Sequence, residues 1–425
     1  MSEVSPPGAH HEVFTAWAKQ QGVQVNAVGP ANISGLGLGI IAQRRIEAGE
    51  LLCDVPASVL LTINTIPEDF KKLHEGITVH GLLASFLAFG GPDTFKFSCW
   101  KNTWPSMQDF QESMPILWPS FMREPLDNHG NPHYTIGQRE DLAFILPPAV
   151  AGRWAHDQMR EFWKIRDTAP LYRQEKKLKA DWDVVSRVFP LETLPVYTYY
   201  WLIVNTRSFY FEVSGSEVAQ NHDDCMVLCP FVDYFNHSDH GCRVDFSEKG
   251  YTVTSDRMYD VGEQIFTSYG SHSNDFLLCE YGFILENNRY DCLPLDDFFS
   301  GKRINGNSKK SLEKAGYFGN YTLDSDGVCF RTQVAIRRQA LNTYHWKKFM
   351  AGVDTEDEET RVAVVTLLHN RILLPYEREA EEALQHLEMT GNAIPPGAKA
   401  TLITRWKQIR QMIQQALLVH EFRRR

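Results

Sequence analysis

The chain has 425 residues, 43% hydrophobic and 12% aromatic, a composition that excludes a disordered polymer and allows about two or three domains. A net charge of -10 argues against a general nucleic-acid binder, whose phosphate contacts need a basic surface. The opening MSEVSPPGAHH lacks the features of a secretory signal and no apolar run reaches about 18 residues, so a soluble intracellular protein without membrane contact is expected.

HEVFTAWAKQQG (11–22) places Phe14, Trp17 and Ala18 at i, i+3 and i+4 before a glycine stop, the pattern of a short helix. NISGLGLGIIAQRRIEAGELLCDVPASVLLT (32–62) reads as short strands joined by a tight turn at EAGE. From about 68 to 190 the pattern is helical and irregular, with helices expected over TVHGLLASFLAF (78–89) and PPAVAGRWAHDQMREFWKIRD (147–167). The stretch 191–285 opens on an aromatic helix and continues as short strands, one of them YTVTSDRMY (251–259). Beyond 300 come polar segments and two long helices. In the last, Leu402, Trp406, Ile409, Ile413 and Leu417 form one apolar stripe, expected to face the chain's own core. KKLK (176–179) and RRR (423–425) read as solvated charge.

GLGLG (35–39) invites a dinucleotide-binding reading, but that fingerprint needs a helix straight after the glycines, and IIAQRRIEAGE follows. The glycines belong to a strand edge or hairpin that a ligand could approach closely. Cys225, Cys229, Asp233, His237, Asp239, His240 and Cys242 crowd into eighteen residues, and a zinc site could be drawn from them. Yet MVLCPFVDYF (226–235) looks like a buried strand, which makes two of the candidate cysteines, Cys225 just before it and Cys229 within it, core residues. No G-x-S-x-G elbow supports a serine hydrolase around His237. Arg207, among aromatics in TRSFYF (206–211), must find an anion, either an internal carboxylate or a ligand's. TSYGSHSNDFLLCEYGFI (267–284) contributes Tyr269, Tyr281 and Phe283.

Together, GLGLG, TRSF, NHS (236–238) and SYGSHSNDFLLCEYGF resemble the SET-domain methyltransferases. The branch is that of the plant Rubisco large-subunit lysine methyltransferase and its fungal ribosomal-protein and animal relatives. The resemblance implies an α+β fold: small sheets (1–67 and 191–299) split by a helical insertion (68–190) and followed by a helical substrate-binding domain (300–425). It implies S-adenosylmethionine as cofactor, held by Ser34, Gly35, Leu36, Gly37, Arg207, Asn236, His237 and Phe283. Tyr269 would sit beside the transferring methyl, Tyr281 would line the lysine channel, and Asp233, expected on the strand before NHS, would reach its entrance or close a strand end. No metal is expected: only Cys292 and Cys329 follow Phe283, too few for a zinc cluster there. GCRVDF (241–246) offers Arg243 and Phe246 where some relatives place a channel tyrosine, so the number of methyls transferred stays open. The implied activity is protein-lysine methylation by a monomer acting on a basic protein, whether a ribosomal protein, a histone or another nuclear or cytosolic protein, with a histidine target or a non-catalytic adaptor as alternatives. The cytoplasm is the expected compartment, with the nucleus open, since KRINGNSKK (302–310) is too dispersed for an import signal.

Overall fold

The computed structural model describes residues 4–119, 122, 145–151, 170–212, 225–299, 304–353 and 357–418. The helix expected over 147–167 therefore lies, beyond a first turn at Pro148–Ala151, outside the described residues, as does RRR (423–425). Among the described residues, no helix is long and apolar enough to cross a membrane. The chain forms two compact units, one of Met1–Phe110 with Glu175–Ser271 and one of Gln111–Gln174 with His272–Arg425.

The first unit is built on strands β1 (Val4–Ser5), β2 (Gln24–Val25), β3 (Val28–Ile33), β4 (Gly37–Ala42), β5 (Leu51–Pro56), β6 (Ser208–Tyr210), β7 (Met226–Leu228), β8 (Asn236–Ser247), β9 (Gly250–Thr254) and β10 (Gln264–Thr267). Eight of them share a sheet in the order β1-β3-β4-β10-β8-β9-β5-β2, while β6 and β7 pair separately. The turn at EAGE has Gly49 at φ 79°, but it does not make a hairpin. β4 pairs with β3 and β10, whereas β5 pairs with β9 and β2.

Helix Ala9–Gln20 buries Phe14 and Ala18, and Phe14 stacks on Trp100 with ring centroids 6.1 Å apart. Helix Val79–Phe89 is buried from Val79 to Leu87, and Thr78 caps it by accepting from the Gly81 N–H. It packs against helix Leu194–Arg207, whose Tyr197, Trp201, Leu202, Ile203 and Val204 are also buried. Each fully buried Val, Leu, Ile or Phe among them contributes about 1.5–3 kcal/mol on leaving water.

The second unit holds a three-stranded sheet of β11 (Cys292–Pro294), β12 (Thr322–Asp324) and β13 (Gly327–Val328). Its helices include Asn274–Tyr281, Gly306–Lys314, Phe330–Ala340, Thr343–Met350, Glu358–Leu368, Leu374–Met389 and Pro396–Leu417. The last two pack on each other. Leu402, Trp406, Ile409 and Ile413 are fully buried, as the stripe requires, and Leu417 is half-buried.

Candidate active site

The glycine run forms the β3–β4 hairpin, with Ile33 opposite Gly37 and Ala31 opposite Gly39. Ser34, Gly35 and Leu36 are its exposed tip, closed by the Leu36 N–H donating to the Ile33 carbonyl at 3.0 Å. Gly35 and Gly37 have φ of 79° and 73°, which favours glycine. A Cβ on either would meet nothing within 4 Å, so the backbone here is open to a ligand. Gly39 answers a different need: its Cβ would lie 2.6 Å from Gln264 Nε2 and 2.8 Å from Asn236 Nδ2. Its bare backbone lets Asn236 Nδ2 reach the Leu38 carbonyl at 2.9 Å.

Asn236 and His237 owe their placement to a break in register. β10 runs parallel to β8 with Phe266 opposite Asn236, yet the next residue, Thr267, is opposite Cys242. Residues 237–241 are thus left out of the ladder as a bulge. Gly241 permits this, since a Cβ there would lie 2.6 Å from the Phe266 carbonyl oxygen. Tyr269, two residues past β10, is held at both ends by the segment beside it. Its N–H donates to His237 Nδ1 at 3.0 Å and its hydroxyl donates to the Phe235 carbonyl at 2.7 Å. The two rings stack at 5.0 Å. Accepting at Nδ1 leaves the imidazole proton on Nε2.

Arg207 is the last residue of helix Leu194–Arg207, where a cation suits the helix dipole. Its Nη1 donates to the Asp233 carbonyl at 3.0 Å and to Asp233 Oδ2 at 3.3 Å. Trp100 Nε1 donates to the same Oδ2 at 3.0 Å. Asp233 is not on a strand, as expected, but in a 3-10 turn, Val232–Tyr234. Nor does it reach solvent: its side chain is 1% exposed. Burial raises its pKa and the Arg207 charge opposes the rise. The carboxylate therefore supports Arg207. A guanidinium has five donors, and among the described residues Arg207 Nε is buried with no hydrogen-bond partner. The internal ion pair and a ligand carboxylate are thus compatible, because only part of the fork is used. Gln264 Nε2, which sequence reasoning missed, is a second buried donor without a partner among the described residues. An anionic, hydrogen-bonding ligand fits this donor set.

Cys225, Cys229 and Cys242 are buried. Burial pushes the Cys229 thiol well up and Cys242 up to about 11, which disfavours the thiolate a metal needs. Among the described residues, no group of three His, Cys, Asp or Glu could hold a metal ion. Tyr251 pairs across from Phe246 and is buried, its hydroxyl donating to the Tyr210 carbonyl.

Tyr281 and Phe283 belong to the second unit. Helix Asn274–Tyr281 is capped by Ser273, which accepts from the Phe276 N–H, and ends at Gly282 with φ 80°. The reversal brings the Phe283 ring to 6.2 Å from that of Tyr281. Burial, then the charge of Glu280, pushes the Tyr281 hydroxyl up to about 12, so it stays a neutral phenol at physiological pH.

Residues 37–270 match the SET domain model, and 301–418 match the ribosomal lysine N-methyltransferase 2 C-terminal domain. The chain is 34% identical over 168 residues to ribosomal lysine N-methyltransferase set11 of Schizosaccharomyces pombe, covering 39% of this chain and 42% of that protein. It is 24% identical to mouse SET domain-containing protein 4, over 82% of this chain and 77% of that protein. With ribosomal lysine N-methyltransferase 2 of Saccharomyces cerevisiae it shares 26% identity, over 61% and 57%. The alignments to the two yeast enzymes thus span less than two thirds of their length. In fold it is similar to Rubisco LSMT bound to AdoMet, with TM-score 0.56 and 16% identity over 97% of this chain and 93% of that one. The SET domain of LSMT bound to lysine and AdoHcy gives TM-score 0.57 and 13% identity over 96% and 90%.

Proposed function

The chain belongs to the SET-domain family, and from that premise we propose that it is an S-adenosylmethionine-dependent protein-lysine N-methyltransferase acting on a basic ribosomal protein. The observation that carries the reading is the fixing of Tyr269 against Phe235 and His237, in a unit that also holds an open glycine turn and a buried Arg207 donor without a partner among the described residues. The yeast relatives' names support the ribosomal substrate.

Bound S-adenosylmethionine would supply an electrophilic methyl on a sulfonium. Ser34, Gly35, Leu36 and Gly37 would hold it through their backbone, and Arg207 Nε would meet its carboxylate. Asn236 and His237 would hold its amino group and adenine, and Phe283 would pack against it. Tyr269, its proton committed to the Phe235 carbonyl, turns oxygen electron density rather than a proton toward the reacting centre. That keeps the hydroxyl in place to align nucleophile and methyl. A lysine amine must lose a proton to attack, at a cost of about 4 kcal/mol near neutral pH. An aromatic channel, to which Tyr281 would contribute, reduces that cost by disfavouring the cation.

The test is transfer of radiolabelled methyl into ribosomal proteins from cells lacking the corresponding enzyme, with mass spectrometry of the labelled residue. Label on a lysine, lost with Tyr269→Phe, is expected. Label on histidine, or none despite cofactor binding, would overturn the lysine assignment.

A further inference from the structure

We infer that the C-terminal helix Pro396–Leu417 is a positioning element for Tyr281 and Phe283, acting through Arg405 and Gln408. The inference rests on the roles proposed above for those two aromatics. Arg405 interrupts the apolar stripe of this helix and is fully buried. Its Nε donates to Asp275 Oδ1 at 2.7 Å, Nη1 to Asp291 Oδ2 at 2.5 Å and Nη2 to Asp291 Oδ1 at 3.1 Å. One guanidinium thus joins the first turn of helix Asn274–Tyr281 to the end of the following loop, in the bidentate geometry that arginine alone offers.

One turn along, Gln408 repeats the pattern with neutral groups. Its Nε2 donates to the Leu285 carbonyl at 2.8 Å, and its Oε1 accepts from Asn274 Nδ2 at 3.0 Å. Asn274 in turn donates to the Leu285 carbonyl and accepts from the Leu285 N–H at 3.1 Å, while its own N–H donates to Asp291. Asn288 adds a bond to Asn274 Oδ1 at 3.0 Å. The loop from Gly282 to Asp291 is therefore tied to the start of the preceding helix and to the C-terminal helix, with Tyr281 at one of its ends and Phe283 two residues from the Leu285 tie. A fold could hold this loop with apolar packing. A buried arginine between two aspartates fixes its geometry instead, because removing the arginine strands two buried carboxylates and removing either aspartate leaves part of the fork without its acceptor.

The test is a double-mutant cycle read in cofactor affinity by calorimetry, with turnover and the mono-, di- and trimethyl product ratio measured on the same proteins. Gln408 is half-buried, so Gln408→Ala is expected to fold; Arg405→Lys keeps the charge but not the fork. Lys407→Ala, an exposed change on the same helix, serves as control. Gln408→Ala should weaken cofactor binding by at least about twofold and shift the product ratio, with a larger effect for Arg405→Lys. In a Phe283→Ala background the Gln408 effect should shrink, since coupled residues are not additive. Equal Gln408 effects in both backgrounds, or wild-type affinity and product ratio in both variants, would overturn the inference. If methyl transfer itself persists in those cases, the lysine-methyltransferase reading survives. If Phe283→Ala and Tyr281→Phe also leave affinity and product ratio unchanged, the roles of those aromatics fall, and the inference with them.

Discussion

Arg207→Ala should do more than weaken cofactor binding, because it strands the buried Asp233 carboxylate with Trp100 as its remaining neighbour of those described above. Breaking a buried pair from one side costs about 3–5 kcal/mol, measurable by denaturant titration alongside the rise in cofactor Kd. The sign with pH follows from burial. A carboxyl whose folded pKa is raised above its unfolded value favours the fold at low pH and loses that contribution as pH rises through the folded pKa. The variant's deficit should therefore narrow as pH is lowered. His11 behaves oppositely: buried, with Nδ1 2.8 Å from the Tyr234 hydroxyl, its pKa is lowered from 6.5 to about 4 by desolvation, then by His10 and Arg207. Its stabilising neutral form is fully present above 6.5 and is lost as pH falls from there toward 4. His11→Gln should flatten the pH dependence of Tm in that window, and an unchanged slope would remove His11 from it. The motifs exposed Asn236, His237 and Tyr269 in the sequence because their spacing is local, and the structure brings those three together. Gly39, Gly241 and Gln264 were silent, since their roles depend on which distant strand lies alongside. Arg405 did leave a signal: a charge at i+3 within an apolar helical stripe must be ion-paired if the stripe is core.

At the level of elements, the parallel seam between β8 and β10 is what puts residues 237–241 beside Tyr269. Gly241→Ala would drive a methyl into the Phe266 carbonyl, a clash with backbone that cannot rotate away. A loss of about 1–3 kcal/mol is expected, with Tm falling by several degrees and turnover falling with it. A wild-type Tm would mean the bulge relaxes freely. The helices were the more legible elements: the periodicity that announces 9–20 and 396–417, and the apolar run of 79–89, lie within each segment. Strand partners were not legible, as β4 and β5 illustrate. They follow one another in sequence with a glycine turn between, yet each bonds to strands that arrive some two hundred residues later.

For the whole molecule, a net charge of -10 and the basic protein substrate proposed above predict electrostatically assisted encounter. Raising salt from about 50 to about 300 mM should increase KM for the protein substrate several-fold and leave kcat nearly unchanged, because screening weakens attraction between separated charges. A salt-insensitive KM would place recognition in apolar contacts. The seam has a further consequence, for synthesis. β4 emerges from the ribosome long before β10, the strand that covers its free edge and leads directly into Tyr269. At about 5–20 residues per second, that edge waits roughly 10–45 s for its partner. A chain halted between β4 and β10 therefore presents an open template for pairing with its neighbours, so pauses in that interval of synthesis are the ones that expose the sheet to aggregation.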